Sequence, residues 1–182
     1  MGETCGHGDR GDAVLRPLAA GELPLYLDHL ARLDSASRRL RFGCAMDMAA
    51  LQHHCLGLAG IKATVIGAFL SDTLRGAAEL APARAPFKGF EAAFSVESEY
   101  RRDGLCFALL TSAARLVSPG VLTLVCDAEN APMLGCAEKA GAIIAIDDDT
   151  AICSLRDAAS AAGAPLPGSV PHLGSALLRG YV

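Results

Sequence analysis

The stretch Phe94-Ser95-Val96-Glu97-Ser98-Glu99-Tyr100-Arg101-Arg102-Asp103-Gly104-Leu105-Cys106-Phe107-Ala108-Leu109-Leu110 changes character twice. Strand-like residues run to Val96. A polar run follows from Glu97 to Asp103, and from Gly104 the apolar positions Leu105, Leu109, Ala113 and Leu116 recur at helical spacing. The pattern predicts a strand, a loop and a helix, with glycine at the turn. A helix start carries unpaired N–H groups and a partial charge of about +0.5, so this turn could wrap its donors around a diphosphate. Arg101 and Arg102 would add cationic charge at its mouth. On these residues alone a plainer reading stays open, in which Gly104 only relieves a tight turn and the arginines are solvated.

Working outward, the N-terminal side predicts a short strand at Val14–Leu18 stopped by Pro17, which cannot donate to a central ladder. A helix follows with Leu23, Leu27, Leu30 and Leu33 at helical spacing, then an Arg-rich helix over Ser35–Phe42 and a helical stretch over 47–58. Strands are expected at Ala63–Leu70 and Leu74–Leu80 around a Ser71-Asp72 turn, and at Phe90–Val96 after a Pro-broken loop. Beyond the helix from Gly104 to about Val117 come a strand at Val121–Val125 and a helix over Asn130–Ala140, stopped by Gly141. A hairpin of Ala142–Ile146 and Ala151–Leu155 closes the series. This order implies a mixed sheet in an α/β or α+β domain. The expected organisation is a flexible lead over 1–12, one domain over 13–156 and an Ala-, Gly- and Pro-rich tail over 157–182.

Composition narrows the function. The 182 residues are 52% hydrophobic and 20% charged, which excludes a wholly disordered chain. A net charge of −4, aromatics at 5% and no tryptophan argue against a nucleic-acid binder, which needs clustered cations or stacking platforms. The seven cysteines are irregularly spaced without a C-x-x-C, so neither a disulfide framework nor a zinc ribbon is expected; they read as small buried hydrophobes in a reducing compartment. His53-His54-Cys55 is a poor metal motif, because adjacent helical residues face different ways. No apolar run approaches ~18 residues, and Met1–Asp12 lacks the apolar centre of a secretory signal. A cytoplasmic protein without metal or membrane contact is expected.

The quoted stretch resembles motif A of the GNAT superfamily of N-acetyltransferases: a strand ending in Val, a polar loop, then Arg/Gln-x-x-Gly-x-Gly/Ala opening a helix with paired leucines. Here it reads Arg101-x-x-Gly104-x-Cys106, followed by Leu109-Leu110, with Cys106 in place of the usual Gly or Ala. Val125-Cys126-Asp127-Ala128-Glu129-Asn130 leading to Glu138-Lys139-Ala140-Gly141 is similar to the family's strand–Asn–helix–Gly segment, with Ala142 where an aromatic is usual. Leu15-Arg16-Pro17-Leu18 and Ser37–Phe42 look like the opening of the GNAT domains that acetylate protein lysines. The resemblance implies a mixed sheet that splays between its central strands and takes acetyl-CoA as cosubstrate, with no metal. The backbone of Phe94, Ser95 and Val96 would pair with the pantetheine amides. The amides of Arg102, Asp103, Gly104, Leu105, Cys106 and Phe107 would meet the diphosphate, beside Arg101, and Asn130 would lie by the pantetheine arm.

The implied activity is direct transfer of an acetyl group to a primary amine, a protein lysine or a small molecule. An amine with a pKa near ~10 must lose a proton before it attacks, so a base is required. Strand alternation puts Glu91, Ala93 and Ser95 on one face, opposite the apolar Ala92, Phe94 and Val96, and so turns Glu91 toward the acceptor side. In the lysine-acetylating GNATs this chain resembles, a Glu five residues before the strand-ending Val is the base, and Glu91 stands there; Glu79 is the alternative. The tyrosine acid that the family often carries seven residues after the Asn is Ala137 here. That departure keeps a non-catalytic acyl-CoA-binding regulatory module as the rival reading. A homodimer is allowed by everything above.

Overall fold

The computed structural model describes residues 12–156. The expected tail over 157–182, and all of the expected lead except Asp12, lie outside the described residues. The elements are β1 (Val14–Pro17), α1 (Leu23–Arg32), α2 (Ser35–Phe42), α3 (Met48–Gly57), β2 (Thr64–Leu70), β3 (Thr73–Pro82), β4 (Phe90–Val96), α4 (Leu105–Val117), β5 (Val121–Asp127), α5 (Ala131–Lys139), β6 (Ile143–Asp147) and β7 (Thr150–Arg156). They form one sheet in the order β1-β2-β3-β4-β5-β7-β6. Every neighbouring pair is antiparallel except β4 and β5.

Local chemistry explains the boundaries. Pro17 ends an edge strand, where the missing N–H costs no central ladder bond. Ser71 and Asp72 both take positive φ, 47° and 61°, the two-residue turn whose twist matches antiparallel strands. The Asp34 carboxylate accepts from the Ser37 amide at 2.7 Å, and Asp47 from Ala50 at 2.8 Å, which fixes the starts of α2 and α3.

The sheet has a core on each face. On one face, Ile66, Leu80, Ala92, Leu122 and Leu124 of the sheet pack against Leu109 of α4 and Ala137 of α5. On the other face, Tyr26 and Leu30 of α1 and Leu51 of α3 pack with Val65 and Ala77 of the sheet. The buried stripe of α4 is Leu105, Leu109, Leu110 and Ala113; the expected Leu116 is half exposed, because adjacent Leu109 and Leu110 together widen the apolar face. A second correction follows from the double core. The face carrying Glu91 and Ser95 is not an open side of the sheet: helices cover much of it, and Ser95 is buried. Among the described residues no helix is long and apolar enough to cross a membrane.

Candidate active site

The sheet opens at its centre. β4 pairs with β3 along its whole length, from Phe90 opposite Pro82 to Val96 opposite Gly76. Its other edge meets β5 only at Phe90↔Leu122 and Glu91↔Thr123, after which the two parallel strands part. The remaining β4 residues, Ala92–Val96, therefore border a wedge whose vertex lies at Glu91. Gly89 closes that vertex. Its φ is +86°, and a Cβ there would stand 2.3 Å from the Val121 carbonyl oxygen, so only glycine lets the loop before β4 reach β5.

The wide end of the wedge leads to α4. Gly104 is the residue before this helix, at φ +81° and ψ −2°, with no atom within 4 Å of where a Cβ would be. The first helical bond runs from the Ala108 amide to the Gly104 carbonyl at 3.0 Å. The N–H groups of Leu105, Cys106 and Phe107 thus precede the helical ladder and form its open end. Arg102 is also left-handed, φ 68°, so backbone donors turn about this loop as in an anion nest. The Arg101 guanidinium is not spread over the mouth. Its Nε donates to the Val96 carbonyl at 3.1 Å and its Nη2 to the Ser37 hydroxyl, tying the loop to β4 and α2. The Cys106 thiol points to α5, 3.8 Å from the Met133 sulfur; burial first, and then the neighbouring Cys136, push it up to about 12. Cys106 is therefore a packing residue that leaves the turn clear.

Glu91 is half-buried at the vertex, and burial raises its carboxyl above the usual range, with Arg84 and Arg41 opposing this. Next to it lies a buried charged cluster. Glu79, 6% exposed, accepts from the Tyr26 hydroxyl at 2.8 Å, from Arg41 Nη2 at 2.8 Å, and pairs with His54 Nε2 at 2.7 Å. Burial alone pushes the Glu79 carboxyl up, but Arg41, His54 and Tyr26 more than reverse this and hold it at about 2. Arg41 Nε is buried with no hydrogen-bond partner. This strong ion pairing makes Glu79 an anchor for α2 and α3, and leaves Glu91 as the carboxylate with the higher proton affinity.

A second cluster lies at the far end of β4. Glu97 accepts from Arg32 Nε at 2.9 Å and Arg75 Nη1 at 2.9 Å and meets His29 Nδ1 at 3.2 Å; the other ring nitrogen of His29 lies 2.9 Å from the Ser95 hydroxyl. His29, Arg32 and Arg75 went unrecognised in the sequence, although Tyr26, His29 and Arg32 recur every third residue on α1, a polar stripe beside the leucines. His54 shares that lesson: it is buried on Glu79 while His53 is exposed. Among the described residues no group of three or more His, Cys, Asp or Glu is placed to hold a metal.

The family model for the acetyltransferase (GNAT) family matches residues 31–142. The chain belongs to the GNAT acetyltransferase family. Solved GNAT relatives share the fold at low identity. The GNAT domain of S. lividans PAT superposes with a TM-score of 0.65 at 16% identity, covering 80% of this chain and 91% of that one. The yncA protein from Salmonella typhimurium, solved with its cofactor acetyl-CoA, gives 0.61 at 13%, covering 87% and 100%. The PaiA N-acetyltransferase from Thermoplasma acidophilum, solved with coenzyme A, gives 0.58 at 17%, covering 80% and 99%. No curated protein matches the sequence.

Two positions that the resemblance singled out have structural duties in the fold. Asn130 caps α5, its side-chain oxygen accepting from the Met133 amide at 3.3 Å. Ala137, where the GNAT tyrosine acid would be, is fully buried between α5 and the sheet. No polar side chain replaces it at that position.

Proposed function

We propose that this GNAT protein is an acetyl-CoA-dependent N-acetyltransferase that passes an acetyl group directly to a primary amine, of a protein lysine or a small molecule. The observation that carries this is the wedge between β4 and β5, open from Glu91 to Val96 and leading to the left-handed Gly104 at the start of α4. Bound acetyl-CoA supplies an activated acetyl carbon and a thiol leaving group. The amides of Arg102–Phe107, with the space above Gly104, hold the diphosphate against the positive end of α4. The free edge of Phe94, Ser95 and Val96 holds the pantetheine. Arg101 shapes this site by fixing the loop, and Asn130 by fixing the start of α5. Glu91, at the vertex, takes through intervening water the proton that the ammonium must lose; its raised proton affinity suits it to that work. The free thiols of the described cysteines support a cytoplasmic setting.

The test is calorimetry with coenzyme A together with thiol release from acetyl-CoA over a panel of lysine peptides and small amines. Binding with amine-dependent release is expected, and the half of the panel that responds identifies the acceptor class. Failure to bind coenzyme A overturns the reading. One observation favours a second reading, a non-catalytic acyl-CoA-binding module: Ala137 leaves no acid on α5. Binding without release on any amine would establish it.

A further inference from the structure

The Ser95, His29 and Glu97 side chains form a chain of hydrogen bonds that the proposed activity does not yet use. Ser95 Oγ lies 2.9 Å from His29 Nε2, and His29 Nδ1 lies 3.2 Å from Glu97 Oε1. His29 is fully buried, and Ser95 and Glu97 are 8% and 7% exposed. Two arginines fix the far end, Arg32 and Arg75, each 2.9 Å from Glu97. The protonation follows from the partners. Glu97 is pushed up by burial but held at about 2 by His29, Arg75 and Arg32, so it is ionised and only accepts. His29 Nδ1 must then carry the proton. Burial lowers the His29 proton affinity more than Glu97 restores it, so the ring is neutral at pH 7 and Nε2 accepts from the Ser95 hydroxyl. Nucleophile-side hydroxyl, imidazole and orienting carboxylate stand in the order that defines a proton relay.

Its place in the fold gives this relay a task. Ser95 lies on the strand bordering the wedge, past the last β4–β5 pair, and on the same face as Glu91 about 13 Å away along the strand. Ala93 stands between them and presents only a methyl group. The acid position on α5 is taken by buried Ala137. We propose that Ser95 is a catalytic residue that shuttles a proton from the attacking nitrogen to the departing sulfur, with His29 and Glu97 acting through it. This rests on the acetyltransferase reading above. As the nitrogen bonds to the acetyl carbon, its surplus proton passes to Ser95 Oγ and the Ser95 proton passes to His29 Nε2, Glu97 stabilising the imidazolium. The carbon–sulfur bond breaks with its electron pair on sulfur; Ser95 gives sulfur a proton and regains one from His29. Relay residues end unchanged, and amide and thiol are the products.

The groups facing His29 are Glu97 from the end of β4, Arg32 and the stacked Tyr26 ring from α1, and Arg41 from α2. The expected pH signature follows. Both Glu91 and His29 must be unprotonated in the wild type, so log kcat falls with a slope approaching two on the acid side, whereas Ser95→Ala uncouples His29 and leaves a slope of one. Ser95→Ala should lower kcat about 10²-fold and keep the melting shift with coenzyme A, since the backbone of residue 95 is retained. Rates in mixtures of light and heavy water should curve for the wild type and become linear for Ser95→Ala. Nitrogen-15 NMR of the free protein at pH 7 should show His29 neutral, protonated on Nδ1. The opposite tautomer, a Ser95→Ala rate within about threefold of wild type, or acetylated Ser95 after acetyl-CoA alone would each overturn the relay while leaving the acetyltransferase reading intact. A wild type that releases no thiol with any amine overturns that reading and the relay with it.

Discussion

Glu79 and Glu91 lie on one face of neighbouring strands, yet their surroundings send their carboxyl groups in opposite directions. Glu79 pairs across the ladder with Ala93, and Glu91 with Ala81. Arg41 and His54 touch Glu79 directly, whereas Glu91 feels mainly its own burial. Glu91→Gln should therefore lower kcat about 10²-fold without loss of coenzyme A affinity, read by steady-state thiol release and calorimetry. The wild-type rate should rise with pH as the Glu91 carboxyl, raised above its ordinary value of 4.5, gives up its proton, and the variant should lose that rise. Glu79 behaves differently. Arg41→Met would leave a buried, uncompensated carboxylate and should cost about 3–5 kcal/mol in urea denaturation, and pairing it with Glu79→Leu should recover much of this. Strand alternation showed which residues share a face with Glu91, but not that helices cover much of that face. The roles of Glu79 and Glu97 could not be read in the same way, because their partners lie 22 to 68 residues away in the chain.

At the scale of elements, two glycines do different work. Gly104 has free space around it and a left-handed backbone, so Gly104→Ala meets strain without a clash. A loss of about 1–2 kcal/mol in stability is expected. Relief of that strain would turn the amides of the α4 start away from the diphosphate, and calorimetry should show coenzyme A binding weakened by more than the stability loss alone would cause. Gly89→Ala puts a Cβ against the Val121 backbone, whose carbonyl cannot move without breaking the β4–β5 junction. That variant should be unfolded or far less stable by circular dichroism. The strand–loop–helix around Gly104 was legible because its signals are local: an apolar strand, a polar run and a helical stripe. The bonding of Arg101 to Val96 and Ser37 was not, since α2 reaches that loop only after the chain has folded back.

For the whole molecule, the two buried clusters set the response to acid. The folded His29 titrates below its ordinary 6.5, so protons favour the unfolded chain: its contribution is full above about 6.5 and is lost as pH falls through the lowered value. Glu79 and Glu97 titrate at about 2 when folded against 4.5 ordinarily, so their stabilisation is full above about 4.5 and disappears toward pH 2. Urea midpoints should thus begin to fall below pH 6.5 and fall more steeply below 4.5. A midpoint that stays flat between pH 6.5 and 5 would show that folding does not lower the proton affinity of His29, and one that rises would show it protonated in the folded protein. Coenzyme A at a hundred times its Kd should stabilise the chain by about 2.7 kcal/mol at neutral pH, a shift readable by thermal melting.

By itself the sequence determined the order of strands and helices, the turn at Gly104 and the face on which Glu91 lies, because helix and strand periods, caps and turn residues act over a few neighbours. It did not determine that both faces of the sheet are covered, that Arg41 is buried on Glu79, or that Ser95 meets His29. Those follow from α1, α2 and α3 packing onto β3 and β4, where ion pairs and hydrogen bonds form between residues that only the tertiary fold brings within 3 Å or so of one another.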